Sequence, residues 1–497
     1  MRPVSFSRAL PMALLLAAHS IATASAEEAG TAAEDPAATS QPALLSLIHT
    51  LPDYSGDLMS RNFLTGDWGG TRTAMAEDGV IFELSVTQVM QGNAHGGKDT
   101  EKAFSYEGSA DYTLKLDTAR MKLWPGGLLK LRGETQFGRA INGKAGALMA
   151  PNFDALLPVP GDPGITTLSE FYVVQALSEK LVLLAGKLDL STGDENVFAH
   201  DEKTQFLNLG FRLNPILFPA GPYTTMAAGA ILLPTEWLRI TTMVCDNDPE
   251  GAVKATGFNT AFHGRNWLSV LQEYDFTIKP FEQTGHQRFG WFWSSRDYTD
   301  FQIDARLQLP YRTVRLDRVV PNVFPRQLDP SRLLGGKRNR FLPKPLRSQR
   351  LGSTLVEIET PEPAPDGWAI YYNFDQYFYT EEQDPEQGWG LFGRFGWSTG
   401  ESNPIEEFYS IGLGGRGAIP TRDRDTWGLG YYLLNTTDDL PAVLGMNAEQ
   451  GVELFYNIEI TKWLSLTPDL QVIIDPAAGF QDRDVAIVYG LRAQVNL

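Results

Sequence analysis

The last thirteen residues, Val485–Leu497, alternate between two kinds of side chain. Val485, Ile487, Tyr489, Leu491, Ala493, Val495 and Leu497 are apolar, while Ala486, Val488, Gly490, Arg492, Gln494 and Asn496 turn polar toward the end. Successive side chains of a strand point to opposite faces, so the spacing predicts one greasy face and one wet face. A soluble sandwich also alternates, but it does not need a strand that runs to an apolar last residue. An unpaired edge in lipid leaves backbone groups without partners, so a membrane barrel requires its last strand to pair with its first.

The same alternation recurs upstream. Val80, Phe82, Leu84 and Val86 alternate with Glu83, Ser85 and Thr87. Tyr106, Gly108, Ala110, Tyr112, Leu114 and Leu116 oppose Glu107, Ser109, Asp111, Thr113, Lys115 and Asp117. Leu129, Leu131, Gly133, Thr135 and Phe137 oppose Lys130, Arg132, Glu134 and Gln136. Further strands are predicted over 170–177, 181–189, 224–233, 237–246, 269–278 and 287–294. Residues 300–366 lose the pattern and carry Pro361, Pro363 and Pro365, so a long functional loop with one or two hidden strands is expected there. The pattern returns with Trp368, Ile370, Tyr372, Phe374 and Phe378 against Tyr371, Asn373, Asp375 and Tyr377. Trp389, Leu391, Gly393, Phe395 and Trp397 then oppose Phe392, Arg394 and Ser398. The two tryptophans are ~26 Å apart at ~3.3 Å per residue. Tilted by ~40°, that separation spans ~20 Å, close to the ~25 Å apolar band between aromatic girdles of a barrel. Val452–Ile460, a tight turn at Thr461-Lys462-Trp463, and Leu464–Ile474 complete the series. Pro468 falls mid-strand, where a bulge or a missing ladder bond is expected.

Length and composition agree with strands and turns: 497 residues with 47 Gly and 31 Pro. The N-terminus reads as an export signal. Arg2 and Arg8 are followed by an apolar run from Leu10 to Ala18 and by Ala24-Ser25-Ala26, so residues 1–26 are expected to be removed. Residues 27–64 read as a flexible periplasmic lead-in with one short helix near Leu44–Ile48, and 65–497 as the barrel. No later stretch reaches the ~20 apolar residues of a spanning helix. The formal charge is −18, or −20 without Arg2 and Arg8, which argues against nucleic acid as a partner. One segment departs from this balance: between Arg306 and Arg350, 12 Lys and Arg face only Asp317 and Asp329. Lipopolysaccharide phosphate, a positive wall inside the lumen, and a plain solvated loop are the readings open for it.

Thr65-Gly66-Asp67-Trp68-Gly69-Gly70-Thr71-Arg72 breaks the chain at Gly69-Gly70 and leaves Thr71 to cap a short helix that ends at Gly79. Here the sequence resembles the carbohydrate-selective porin family of the OprB type. The resemblance extends through Asn373-Phe374-Asp375-Gln376-Tyr377, the segment from Gly412 to Tyr432, and Trp463–Gln471. It implies an all-β, transmembrane antiparallel barrel of about 16 strands with a short N-terminal helix. It further implies an outer-membrane location in a Gram-negative bacterium and passive diffusion of monosaccharides and small oligosaccharides. No catalysis and no cofactor are implied. Such barrels commonly end in Phe, whereas this chain ends in Leu497. Whether barrels associate as trimers or stay monomeric is open.

Little else in the sequence points to chemistry. The six histidines form no metal-ligand spacing, and no G-x-S-x-G element is present. Gly412-Leu413-Gly414-Gly415-Arg416-Gly417 matches G-x-G-x-x-G, but Pro420 and then strand-like Trp427–Leu434 follow instead of a helix, so it reads as part of the barrel. The informative set is the inward face. A lipid-facing charge at mid-depth costs ~2–4 kcal/mol, so the charges on these strands belong in the lumen. Neutral sugars need donors, acceptors and aromatic faces together. Lys130, Arg132, Glu134, Gln136, Tyr371, Asn373, Asp375, Tyr377 and Arg394 supply all three and are the candidate pore-lining residues. The rival functions are a less selective porin for ions and small solutes, an outer-membrane enzyme on a barrel scaffold, and a secreted sandwich.

Overall fold

The period-two segments form strands throughout. The computed structural model describes residues 47, 48, 50–157, 164, 166–191, 194–247, 267–296, 298–299, 363–364, 366–400, 403–438, 448–476 and 485–497. Among them, sixteen strands close into one barrel. The first nine are β1 (Val80–His95), β2 (Phe104–Asp117), β3 (Gly127–Gly138), β4 (Thr166–Ser178), β5 (Leu181–Asp189), β6 (Thr224–Thr235), β7 (Leu238–Asp246), β8 (Leu268–Ile278) and β9 (Gly285–Ser294). After the long connection come β10 (Gly367–Thr380), β11 (Gly388–Ser398), β12 (Ile405–Arg416), β13 (Thr426–Thr436), β14 (Ala448–Thr461), β15 (Leu464–Ile474) and β16 (Ala486–Asn496). Every neighbour pair is antiparallel, and β16 pairs with β1 from Ser85↔Asn496 to Asn93↔Val488. That last ladder removes both edges, as hydrocarbon demands. Within the irregular segment, Tyr298–Thr299 and Pro363–Ala364 form a two-stranded ribbon. The basic run 306–350, residues 1–46 and the export signal lie outside the described residues.

Pro468 has the local effect the sequence predicts. The β14–β15 ladder runs to Phe455↔Asp469 and resumes at Ile458↔Leu466, with no pairs between and no change of register. On its other side, Pro468 still faces Leu491 of β16.

The outward positions are apolar and exposed. They include Leu183, Leu232, Phe289, Ile370, Ile411, Leu429, Leu454, Leu470 and Leu491, with Trp237, Trp293, Trp368, Trp389, Trp397 and Tyr409 among them. Exposed apolar side chains on this many neighbouring strands make a band that water cannot stabilise and lipid can.

The Gly-Asp-Trp element packs at the barrel end where β1 begins. Helix α1 (Thr71–Glu77) follows Gly70, whose φ of 93° only glycine adopts readily. Thr71 does not cap it. The first turn is satisfied by Asp67, whose carboxylate accepts from the Thr73 amide at 2.8 Å and the Thr73 hydroxyl at 2.7 Å. Arg72 lies buried over the rings of Tyr54, Phe63 and Trp68, at 4.2, 4.6 and 5.1 Å, and donates to the Phe82 carbonyl. Residues 50–64 of the expected lead-in are therefore packed on the barrel end rather than loose. The Leu47 and Ile48 amides donate to the Asp117 carboxylate, and the Trp463 indole donates to the Leu58 carbonyl. A short helix near Leu44 falls outside the described residues.

The shortest strand connections lie at this end, such as the two residues between β6 and β7. The longest lie at the opposite end. Two of the long ones, 139–165 between β3 and β4 and 190–223 between β5 and β6, turn into the lumen over their described residues, 139–157 and 194–223. Buried Ile141, Met149, Phe153, Phe198, Phe206, Phe211 and Ile216 belong to them. The buried core of this barrel is thus the contact between two connections and the inner wall.

Candidate functional site

All nine candidate residues sit at inward positions, and eight of them meet named partners, while the Gln136 side-chain amide has no hydrogen-bond partner among the described residues. Lys130 pairs with Glu170 at 2.8 Å and stands over the Tyr172 ring. Arg132 contacts Asp111 at 2.9 Å, Glu134 at 2.8 Å and Asp189 at 3.3 Å. Glu134 also accepts from the Tyr223 hydroxyl. Gln136 is buried beside them. On the other side, Tyr371 donates to Glu273 at 2.9 Å, and Asn373 accepts from Asn214 at 3.3 Å. Asp375 accepts from Arg288 at 2.7 Å and contacts His286 Nδ1 at 2.7 Å. Tyr377 packs edge-on against Phe198, ring centroids 4.9 Å apart. Arg394 grips Asp194 with Nε at 2.9 Å and Nη2 at 2.6 Å, and gives Nη1 to the Phe211 carbonyl at 2.6 Å.

Ion pairs around Lys130, Arg132, Glu134 and Asp375 form two charged networks. One joins β2, β3, β4 and β5 through Asp111, Arg132, Glu134, Glu170 and Asp189. Lys203 reaches it from the 190–223 connection and pairs with Asp111 at 3.3 Å and with Asp154. The other joins β7 to β10 through Arg239, Asp275, Arg288 and Asp375, with Glu195 of the same connection paired to Arg239. Carboxylates and guanidiniums alternate, so each charge has its counter-charge within contact. That is the condition for keeping ionised groups out of bulk water. The partners Arg288 and His286 share inward parity on β9 and were open to the same reading. Lys203, Glu195 and Asp194 were not, because an irregular connection has no period to read.

A match to the sequence profile described as carbohydrate-selective porin, OprB family, covers residues 101–497. The chain belongs to that family. Porin B of Pseudomonas aeruginosa is 22% identical over 467 residues, spanning 87% of this chain and 90% of that one. Porin AaxA of Chlamydia pneumoniae is 33% identical over 111 residues, 22% of this chain and 25% of that one. Among solved structures, the high-pH form of Pseudomonas putida OprB matches with a TM-score of 0.70 at 19% identity, covering 89% of this chain and all of that chain. The low-pH form matches with a TM-score of 0.50 at 16% identity, covering 88% of this chain and 99% of that chain. As an OprB-family porin, the chain is an outer-membrane sugar porin. Its family and fold are those of a channel.

Within this porin, accessibility divides the inward charges. Arg394 and Asp375 are fully covered, and Arg288 and Arg492 nearly so. Arg132, Lys203, Arg239, Glu195 and His286 keep side-chain exposures of 16, 13, 12, 15 and 23%. The covered ones serve the connections. Arg492 donates to the Glu202 and Gln205 carbonyls at 2.6 Å each, as Arg394 does to Phe211. The others keep part of their side chains accessible. Outside the strands, the ionisation of this lining is fixed by its neighbours. Burial works against the Lys203 ammonium, but Asp111, Asp154 and Glu202 outweigh it and hold the amine above its usual range. Burial pushes Glu202 up, yet Arg212 and Lys203 prevail and bring its carboxyl down to about 2.

Proposed function

We propose that this porin passes monosaccharides and small oligosaccharides passively, selected by hydrogen bonds to the accessible strip formed by Arg132, Lys203, Arg239, Glu195 and His286. The observation that carries this is the pairing of the inward charges. A wall of compensated guanidiniums and carboxylates offers fixed donors and acceptors with little uncompensated charge. That favours neutral polyols over ions. Each contact is shared with a protein partner, so solute binding stays weak enough for release. Arg132 keeps the pore-lining role read from the sequence. Lys130, Glu134, Gln136, Tyr371, Asn373 and Tyr377 would act as its surround. Arg394 and Asp375 would act through the connections and strands they hold. Residues 1–26 would be removed on export, and the basic run 306–350 suits lipopolysaccharide phosphates.

Liposome swelling across a panel of sugars and sugar acids tests this. Neutral sugars should enter faster than sugar acids of the same size, and Arg132→Ala should change that ratio without opening the barrel. Equal rates for neutral and charged solutes would refute sugar selectivity in favour of a general porin.

A further inference from the structure

The wall beneath the 190–223 connection lacks side chains where that connection lies. Gly390, Gly414 and Gly428 are cross-strand neighbours on β11, β12 and β13, and Gly412 and Gly430 are neighbours one step along. A Cβ at Gly414 would lie 2.6 Å from Phe198, at Gly428 2.6 Å from Phe206, and at Gly430 2.5 Å from Phe211. Phe206 and Phe211 are themselves 4.7 Å apart. Gly390, Gly414, Gly428 and Gly430 therefore form a trench in the barrel wall that these three rings fill. Of the G-x-G-x-x-G pattern, Gly414 belongs to this trench, whereas a Cβ at Gly412 would meet Phe392 of β11 and one at Gly417 would meet Gln387.

Beside it, β14 carries two carboxylates on one face, Glu449 and Glu453. Glu449 accepts from the consecutive amides of Leu148 and Met149 at 2.7 and 2.8 Å. Glu453 accepts from the consecutive amides of Leu207 and Asn208 at 2.6 and 2.9 Å. One strand thus holds both inward connections in the same way. The connections are also tied to each other, Phe153 N to Leu207 O at 2.9 Å and Leu209 N to Ala150 O at 3.0 Å. A carboxylate fork matched to two successive N–H groups is a charge-assisted, two-point contact. It fixes the path of the chain whatever side chains the connection carries toward the lumen.

We propose that the glycine trench together with Glu449 and Glu453 sets the size limit of the channel, as positioning residues that never touch the solute. Both glutamates are fully buried. The proposal rests on the sugar-channel reading, because the two connections must be what narrows the lumen. The two features act in opposite senses. Loss of one of the two acceptor oxygens at each glutamate loosens the connections and widens the passage. A side chain in the trench lifts the rings off the wall and narrows it.

The test uses the full-length barrel in liposomes, with closure confirmed by heat-modifiable mobility on gels. Swelling rates are taken for glucose, maltose and maltotriose. The Glu449→Gln/Glu453→Gln double variant should raise the maltotriose-to-glucose ratio by about threefold or more, given the weight of charged hydrogen bonds. Gly430→Val should lower it. Closed barrels with the wild-type ratio in both variants overturn the proposal. If a variant does not close, hydrogen exchange in the wild-type barrel decides. Slow exchange at the Leu148, Met149, Leu207 and Asn208 amides supports the clamps, and exchange as fast as in a free loop overturns them. Wild-type vesicles impermeable to every sugar would instead overturn the sugar-channel reading.

Discussion

Arg394→Met should unlock the 190–223 connection while leaving the barrel closed. The wild-type guanidinium is fully buried and satisfies Asp194 through two bonds, at 2.9 and 2.6 Å, and the Phe211 carbonyl through a third. Methionine fills most of the volume but removes the guanidinium that the buried Asp194 carboxylate meets through two bonds. Breaking such a pair on one side costs ~3–5 kcal/mol. At ~1.4 kcal/mol per factor of ten, that shifts the docked-to-undocked ratio of the connection by about a hundredfold to a few thousandfold. The β11 ladder to β10 and β12 uses backbone groups alone, so the loss falls on the connection and not on the wall. Single-channel recording should show larger and noisier current. Hydrogen exchange should show lost protection over residues 194–211, with little change in the strands. Adding Asp194→Asn removes the carboxylate that lost the Arg394 bonds and should restore part of the protection. Wild-type noise and exchange in Arg394→Met would refute the reasoning.

Two further outcomes follow from the same contacts. The Glu202 carboxyl lies lower in the folded chain, about 2, than its ordinary 4.5. Its contribution is therefore complete above pH ~4.5 and is lost as the pH falls toward 2. Hydrogen exchange over residues 200–212 should be flat above that window once corrected for intrinsic rates, and Glu202→Gln should abolish the change within it. Arg72→Ala should free residues 50–68, since three rings within 4.2–5.1 Å lose their cation, a loss of about 2 kcal/mol at a desolvated site. Limited proteolysis of intact barrels should then cut between Tyr54 and Trp68, and Arg72→Lys should be cut less.

Most of the barrel was legible because a wall between lipid and water imposes one rule on every second residue. The predicted 181–189 strand matches Leu181–Asp189, and predicted 269–278 is observed as Leu268–Ile278. Both inward sets follow parity through β3 and β10. The capping of α1 was misread because Asp67 reaches it from outside the helix, which no helical spacing reveals. The glycines of β12 and β13 had a reason that lay elsewhere: Gly414 is small because Phe198 occupies the space, and Phe206 and Phe211 do the same at Gly428 and Gly430.

By itself, the sequence determined that the chain has strands, which face of each meets hydrocarbon, and that charge on the other face must line an enclosed space. Alternation is a local property, so it survives in one dimension. Only the tertiary structure decided which of those charges stay accessible. Arg132 keeps part of its side chain exposed, and Arg394 is covered because an aperiodic connection packs on it through Asp194, Ala199 and Phe211. The course of that connection depends on contacts such as Glu453 with Leu207, 246 residues apart. No local pattern encodes a meeting at that distance. It exists only once the barrel has closed.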